Sequence, residues 1–270
     1  MKTKLSLAIA VAALLLASQL GFAAEQTQAA SELKALITKV QTKLKAGDKT
    51  EAALADELKE FDALLAKHKD EKTDDVAQIL FMKAQLYSQV FDNEQKGDQL
   101  LEQLKKDFPD SKPVAMLKKQ EEARKIQSTL VEGAKFPDFD EKDVNGKPFN
   151  LAAYKGKVVL IDFWATWCGP CVGELPNVLK AYEKHHAKGF EIVGISLDSD
   201  KAKLDKFTKD KNMPWQQYFD GKGWSNKLST KYGVNSIPAT YLLDGQGTII
   251  AKNLRGDALE EAVAKALVKK

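Results

Sequence analysis

The chain contains only two cysteines, and their position constrains its fold more than any other feature. Cys168 and Cys171 are separated by Gly169-Pro170 and follow the apolar run 158–164. A strand that leads into Cys-x-x-Cys at the start of a helix is typical of a redox site. The helix N-terminus lowers the pKa of the first thiol, so we expect Cys168 to be a reactive thiolate. Cys171 lies one helical turn further on, close enough to form a disulfide with it.

A zinc site and a purely structural disulfide are the alternatives for this pair. A structural zinc ion needs four ligands, usually a second pair of cysteines or histidines. The three histidines, His68, His185 and His186, show no ligand spacing with the cysteines. A structural disulfide that closes so small a loop would remove little chain entropy. We therefore interpret the pair as a redox centre.

The sequence around the cysteines resembles the active-site segment of thioredoxin-like proteins. The match runs over 159–171, and Gly156-Lys157 before it and Glu174-Leu175-Pro176 after it are similar to the TlpA/ResA branch of exported thiol-disulfide oxidoreductases. Residues 232–240 resemble the cis-proline loop of the same family. The resemblance covers about residues 134–270. It implies an α/β thioredoxin-like three-layer sandwich and thiol-disulfide oxidoreductase activity.

Four side chains are the candidate catalytic residues. The resemblance implies that Cys168 attacks a substrate disulfide and that Cys171 resolves the mixed disulfide. It also implies that Asp162, in the strand before the cysteines, accepts the proton of Cys171, directly or through water. A buried carboxyl there should have a raised pKa, and an aspartate in an apolar strand is costly without a role. Glu174 either tunes the cysteine pKa values or is an ordinary first-turn acid that the helix dipole favours.

Three further residues are candidates for substrate binding. The resemblance implies that Pro238 is cis and that Ile237 presents its backbone to an extended substrate strand. Trp167 is expected to flank the sulfur of Cys168 as a contact surface. The resemblance implies no cofactor and no metal.

The Gly-Pro pair between the cysteines is the one found in thioredoxin itself, which favours the reducing direction with a potential near about −270 mV. The resemblance implies disulfide-containing exported proteins as substrates and a membrane thiol-disulfide transporter as electron donor. The tasks usual in the family are reduction of apocytochrome c in cytochrome c biogenesis and rescue of other exported cysteines. The sequence does not choose between these tasks.

Residues 1–23 are predicted to be a cleaved signal peptide. Lys2 and Lys4 precede an apolar core over 5–16, and Gly21-Phe22-Ala23 is a small-x-small cleavage site. The alternative is an uncleaved membrane anchor, but the apolar run is shorter than the usual span of about 20 residues. We expect a protein that is periplasmic or otherwise exported, in a compartment where disulfides form.

Residues 24–132 are predicted to form a helical domain and residues 133–270 the thioredoxin-like domain, with 133–137 as the linker. Apolar residues recur at helical spacing through the first half, where 75–109 is faintly similar to a tetratricopeptide hairpin. We favour a small helical bundle, which could pack on the redox domain, form a homodimer or hold a partner. The helical stripes cover 33–44, 54–65, 76–90, 100–108 and 111–130.

The second half is predicted to alternate strands and helices. A hairpin over 139–151 around Asn145-Gly146 comes first. The strands then cover 158–165, 190–197, 239–243 and 248–252, and the helices cover 170–187, 200–211, 224–232 and 257–268.

Other functional classes are less well supported by the sequence. Nucleic-acid binding is not expected, because the formal net charge is +3 and no basic patch is interleaved with aromatic residues. A peroxidase of the peroxiredoxin type would need Pro-x-x-x-Thr-x-x-Cys, and Ala165 stands three positions before Cys168 where that pattern has threonine. A partner-binding or holdase protein, with the redox domain as accessory, is the remaining alternative.

Overall fold

The computed structural model describes residues 27–268, so the predicted signal peptide lies outside the described residues. The chain divides into two compact units, Met1–Lys118 and Lys119–Lys270. Within 27–268, no helix is both long and apolar enough to cross a membrane.

The first unit is helical, as predicted. Apolar residues on one side of each helix pack into a single buried core. Gly47, with φ of 103°, ends the first helix in the left-handed conformation that glycine adopts without strain. Buried His68 lies 3.0 Å from a carboxylate oxygen of Glu32 and 2.7 Å from one of Glu71. The helices are Gln28–Ala46 (α1), Ala55–Lys67 (α2), Asp74–Gln85 (α3), which continues into a π-helical turn, Glu94–Asp107 (α4) and Lys112–Thr129 (α5).

The second unit is built on a five-stranded mixed sheet with a separate two-stranded hairpin before it. The strands are Asp140–Lys142 (β1), Pro148–Asn150 (β2), Val158–Trp164 (β3), Phe190–Ser196 (β4), Gln217–Tyr218 (β5), Ala239–Leu243 (β6) and Ile249–Lys252 (β7). The α-helices are Gly169–His185 (α6), Lys201–Asp210 (α7), Lys227–Lys231 (α8) and Asp257–Val268 (α9). The sheet order is β5-β4-β3-β6-β7, in which β4 runs parallel to β3 and β6 runs antiparallel to it. This is the predicted thioredoxin-like arrangement.

Strand β3 is the centre of this unit, and all seven of its residues are buried. A strand buried along its whole length needs cover on both faces of the sheet, which explains its continuous apolar sequence. Successive side chains point to opposite faces. Phe163 accordingly packs against Tyr232 on one face, whereas Trp164 packs against Phe207 of α7 on the other. Asp162 lies two positions before Trp164 and therefore on the same face as α7.

Three features of this unit were not predicted from the sequence. Strand β5 was not predicted, because two residues are too short to show a period. The helix predicted over 224–232 is a 3-10 turn followed by the five residues of α8, since Asn226 accepts from the amides of Leu228 and Ser229 and starts the helix there. His185, for which the sequence predicted no contact, is only 4% exposed and lies 3.3 Å from Glu260.

The predicted linker at 133–137 is part of the folded unit. The amide of Gly133 donates to the carbonyl of Ile249 at 2.8 Å, and the amide of Phe136 donates to that of Gly247 at 3.0 Å. These bonds satisfy the outer edge of β7, so the segment behaves as an added edge strand. The composition of this segment predicted a linker. The sequence did not reveal its pairing with β7, because the partner residues are more than 100 positions away.

The second unit also begins earlier than the predicted boundary at residue 133, inside α5. Gln127 donates to the backbone carbonyl of Tyr232 at 2.6 Å, and Leu130 is buried in the same core. Gly233, with φ of 62°, lies so close to α5 that a Cβ atom would come within 2.5 Å of the Ala123 carbonyl oxygen. The last three turns of α5 therefore cover this unit's core.

We predict that a fragment starting at Lys119 folds more stably than one starting at Gly133. The shorter fragment loses the burial of Leu130 and the hydrogen bonds of Gln127, a cost of about 3 kcal/mol. Urea unfolding followed by tryptophan fluorescence would measure the difference, because all four tryptophans lie after residue 133. The control is the longer fragment with exposed Arg124 changed to Gln, which should match its parent. Equal stability of the two fragments would place the boundary at residue 133.

Candidate active site

The two cysteines form a disulfide at the start of α6. The sulfur atoms are 2.00 Å apart and the Cα atoms 5.2 Å apart. Cys168 is the N-cap of the helix, and its sulfur accepts a hydrogen bond from the amide of Cys171 at 3.2 Å. Pro170 occupies the first turn, where a missing amide hydrogen costs nothing. The unpaired amides of this turn are aimed at the Cys168 sulfur and favour its thiolate form.

Exposure does not distinguish the two cysteines in the disulfide form. Cys168 is 5% exposed and Cys171 is 7% exposed, so both are buried in this state. The disulfide turns both sulfur atoms toward each other and away from solvent. What does distinguish them is the helix cap, because only the sulfur of Cys168 accepts a backbone amide.

The turn that precedes Cys168 is held by a buried aspartate that the sequence analysis missed. One carboxylate oxygen of Asp198 accepts from the Thr166 hydroxyl at 2.6 Å, and the other accepts from the Thr166 amide at 3.0 Å. The Ser196 hydroxyl also donates to Asp198 at 2.8 Å. Asp198 follows β4, the strand beside β3, and therefore ties the approach to the cysteines to the neighbouring strand.

Asp162 lies in β3 beneath the start of α6. Burial raises the pKa of its carboxyl from 3.8 to about 7, the nearby charge of Arg255 acts to lower it, and that of Glu174 acts to raise it further. Among the described residues, no side chain or amide donates a hydrogen bond to this carboxylate. An acid with a pKa near neutrality can both accept and return a proton at physiological pH, so the environment fits the predicted role.

Glu174 is fixed by contacts on two sides. Its carboxylate accepts from the amide of Gly256 at 2.5 Å and from the side chain of Asn177 at 3.1 Å. Gly256 immediately precedes α9, so Glu174 joins α6 to the start of that helix. The structure thus gives Glu174 a definite structural contact, and its influence on Asp162 is electrostatic.

A cavity of about 20 Å3 brings most of the candidate residues together. Cys171, Asp162, Glu174 and Pro238 all line it, and Arg255 completes its polar wall. A space of this size admits about one water molecule. A proton could therefore pass between Cys171 and Asp162 directly or through a single water. The rest of the lining is mainly apolar and comes from β3, the helices α6, α7 and α9 and two connecting segments, with Thr240 of β6 as a further polar residue.

The predicted substrate-binding residues flank the disulfide. The Ile237–Pro238 peptide bond is cis, as the resemblance implied, and both residues are half-buried. Trp167 is 54% exposed, and its ring lies 5.9 Å from that of Trp224, which is 46% exposed. Two exposed indoles therefore stand beside the redox centre, of which the sequence analysis identified one. Contact of these residues with substrate remains a prediction.

The residues that sequence reasoning missed had weak local signals. Arg255 is one of two arginines among 41 basic residues, which marks it as a place where lysine does not serve. Asp198 follows an apolar strand that ends beside the active-site strand, a common position for polar functional residues. Trp224 has no signal in its own neighbourhood, because its partner is 57 positions earlier.

A Cys-x-x-Cys disulfide at the first turn of a helix, beside a cis proline and on a sheet of this order, defines a thioredoxin-like thiol-disulfide centre. Known proteins are similar to the second half of this chain. The AhpC/TSA family matches residues 133–252. The thioredoxin domain of a thiol-disulfide oxidoreductase from Bacteroides vulgatus is 34% identical, with a TM-score of 0.47, over 50% of this chain and 97% of that one.

The curated relatives identify the branch. Thiol-disulfide oxidoreductase ResA of Bacillus thuringiensis subsp. konkukian is 31% identical over 137 residues, which are 51% of this chain and 77% of the relative. The protein of the same name from Bacillus subtilis is 30% identical over 124 residues, or 46% of this chain and 68% of the relative. The chain belongs to the ResA family of thiol-disulfide oxidoreductases, and the alternative of a binding protein with an accessory redox domain is not favoured.

We predict that Cys168 reacts first when the reduced protein meets an alkylating agent at pH 7. The amide at the helix N-terminus that donates to the Cys168 sulfur favours its thiolate, whereas among the described residues no backbone amide donates to the sulfur of Cys171. Mass spectrometry after a short pulse of iodoacetamide should find Cys168 labelled at least about tenfold faster. The Cys168→Ser variant should label slowly at Cys171. Faster labelling of Cys171 in the unaltered protein would contradict the assignment.

Proposed function

We propose that this protein reduces disulfide bonds in exported proteins through the Cys168–Cys171 dithiol. The observation that carries the proposal is the helix cap, in which the amide of Cys171 donates to the sulfur of Cys168. A sulfur held in this way is stabilised as a thiolate, the form that attacks a disulfide. Trp167 is exposed and immediately precedes Cys168, and Pro238 lines the same cavity as Cys171. We assign substrate binding to Ile237, Pro238 and Trp167.

The reaction proceeds in two exchanges. The Cys168 thiolate attacks one sulfur of a substrate disulfide, forms a mixed disulfide with it, and releases the other sulfur as a thiolate. Cys171 then loses its proton to Asp162 and attacks the Cys168 sulfur. The Cys168–Cys171 disulfide forms, the bond to the substrate breaks, and the substrate leaves as a thiolate. Two electrons have passed from the protein to the substrate, and Glu174 acts through the charge it places near Asp162.

The direction and location of the reaction rest on the sequence. Gly169-Pro170 between the cysteines is the thioredoxin pair, which favours reduction. The charged and apolar pattern of residues 1–23 favours export. A reductant in an oxidising compartment has to be recharged, and a membrane thiol-disulfide transporter is the donor we propose. Cytochrome c maturation is one task that such a reductase could serve. A homodimer formed by the helical unit stays a prediction.

Reduction of insulin disulfides tests this proposal. With dithiothreitol as electron source, the full chain should accelerate reduction, Cys168→Ser should be inactive, and Cys171→Ser should accumulate a mixed disulfide with insulin. Equilibration with glutathione should give a reduction potential near about −270 mV. A potential near about −120 mV would indicate an oxidant, and failure of the full chain to reduce insulin would overturn the proposed function.

We predict that Asp162→Asn stabilises the oxidised protein in a pH-dependent way. The folded state holds this proton more tightly than the unfolded state does, so ionisation of Asp162 costs stability as the pH rises from about 4 to about 7. The advantage of the variant should therefore grow by about 3 kcal/mol between pH 5 and pH 8. Urea unfolding at the two pH values would measure it. The exposed Asp140→Asn control should show no such growth, and an equal effect at both pH values would contradict the raised pKa.

A further inference from the structure

Arg255 stands in the turn between β7 and α9 and makes three hydrogen bonds. Its Nη2 atom donates to the carbonyl oxygen of Pro238 at 2.6 Å, and its Nη1 atom donates to the carbonyl of Leu254 at 2.6 Å and to the hydroxyl of Thr240 at 3.2 Å. Both terminal nitrogen atoms of the guanidinium therefore donate hydrogen bonds at the same time. The ammonium of a lysine is a single point and cannot reproduce this geometry.

The guanidinium fixes the segment that carries the cis proline. Pro238 follows Ile237, a residue assigned to substrate binding, and Thr240 of β6 is paired with Asp162 of β3. Asn253 supports the same segment, because its side chain accepts from the amide of Thr240 at 3.3 Å. The turn after β7 thus holds the cis-proline segment through its backbone, with Arg255 at the substrate end.

Arg255 is also the one cationic side chain among the described residues that line the small cavity. Cys171 and Glu174 reach this cavity from α6, and Asp162 reaches it from β3. Thr240 of β6, Phe207 of α7 and Leu259 of α9 supply no ionisable group. The charged groups in the wall of the cavity are therefore the carboxylates of Asp162 and Glu174 and the guanidinium of Arg255.

We propose that Arg255 is a positioning residue of the redox centre, which holds the cis-proline segment for substrate and keeps Asp162 able to accept the Cys171 proton at neutral pH. This inference rests on the proposed function and deepens it. Arg255 touches neither reacting sulfur and acts through Pro238 and Asp162. No bond to sulfur forms or breaks at Arg255.

The charges around Asp162 support this role. Burial raises the pKa of Asp162, the charge of Arg255 opposes that rise, and the charge of Glu174 adds to it. Glu174 is itself held by the amide of Gly256, the residue after Arg255. Two adjacent residues in a short turn therefore position both charges that act on Asp162, because Arg255 carries one and the amide of Gly256 holds the carboxylate of Glu174. Loss of the guanidinium would leave Asp162 protonated at neutral pH and unable to take a second proton.

The test follows the two steps of the full-length reduced protein with 5,5′-dithiobis(2-nitrobenzoate) as probe. The attack of Cys168 releases one nitrothiobenzoate, and resolution by Cys171 releases the second. In the unaltered protein the rate of the second step should rise with pH through an inflection near about 7. Arg255→Gln should move that inflection upward by at least about one pH unit and leave the pH profile of the first step in place.

The second arginine of the chain provides a matched control. Arg124 is exposed and does not line the cavity, so Arg124→Gln should leave both profiles unchanged. In the Asp162→Asn background, Arg255→Gln should cause no further shift, because the group through which it acts is gone. An unmoved inflection in Arg255→Gln, or an equal shift in Arg124→Gln, would overturn the proposal. A merely structural role would slow both steps at every pH without moving the inflection.

Arg255→Lys keeps the inference testable if Arg255→Gln does not fold. Lysine retains the charge but cannot bond Pro238 and Thr240 together. Its inflection should stay within about half a pH unit of that of the unaltered protein, while KM for insulin rises at least about fivefold. An unchanged KM of Arg255→Lys for insulin would overturn the proposal that Arg255 holds the cis-proline segment. If the unaltered protein shows both steps with the probe but does not reduce insulin, the proposed function fails while the inflection still tests Arg255.

Discussion

A carboxyl group in the middle of the central strand is the constraint on which the redox unit depends. Strand β3 is covered on both faces, and such a strand normally carries only apolar side chains. Asp162 interrupts it, and burial makes the charged form of this residue costly. The cost is tolerated because a small polar cavity meets the side chain there, with a guanidinium and a second carboxylate in its wall. The remainder of the unit keeps that cavity small and completes its wall mainly with apolar side chains.

The disulfide and the acid are positioned by different means. Cys168 depends on local structure, because its sulfur caps the helix that the next residues form. Asp162 depends on the whole unit, because burial in the unit raises its pKa, and charges in a turn far along the chain and on a helix act on it as well. Asp198 connects the two arrangements, since it holds Thr166 in the turn between strand and helix. A change in the sheet can therefore reach the proton acceptor directly and the turn before Cys168 through Asp198.

The sequence was most informative where a pattern is local. The strand period, the helix stripes and the Cys-x-x-Cys segment lie within short windows, and they predicted the sheet strands other than β5, the helical first half and the redox pair. The linker at 133–137 was misread because its hydrogen-bond partners lie at 247–249. Arg255 and Asp198 were missed for the same reason, as each acts on a segment of the chain at least 15 positions away. Contacts between residues so far apart in the sequence produce no periodic pattern from which they could be predicted.

The separation of three between the cysteines has a consequence for how the chain acquires its own covalent structure. A chain with two cysteines has a single intramolecular pairing, so oxidation during folding cannot produce a scrambled isomer. The two thiols are also neighbours before any tertiary structure forms. This protein therefore needs an oxidant to form its own disulfide but no isomerase to sort it.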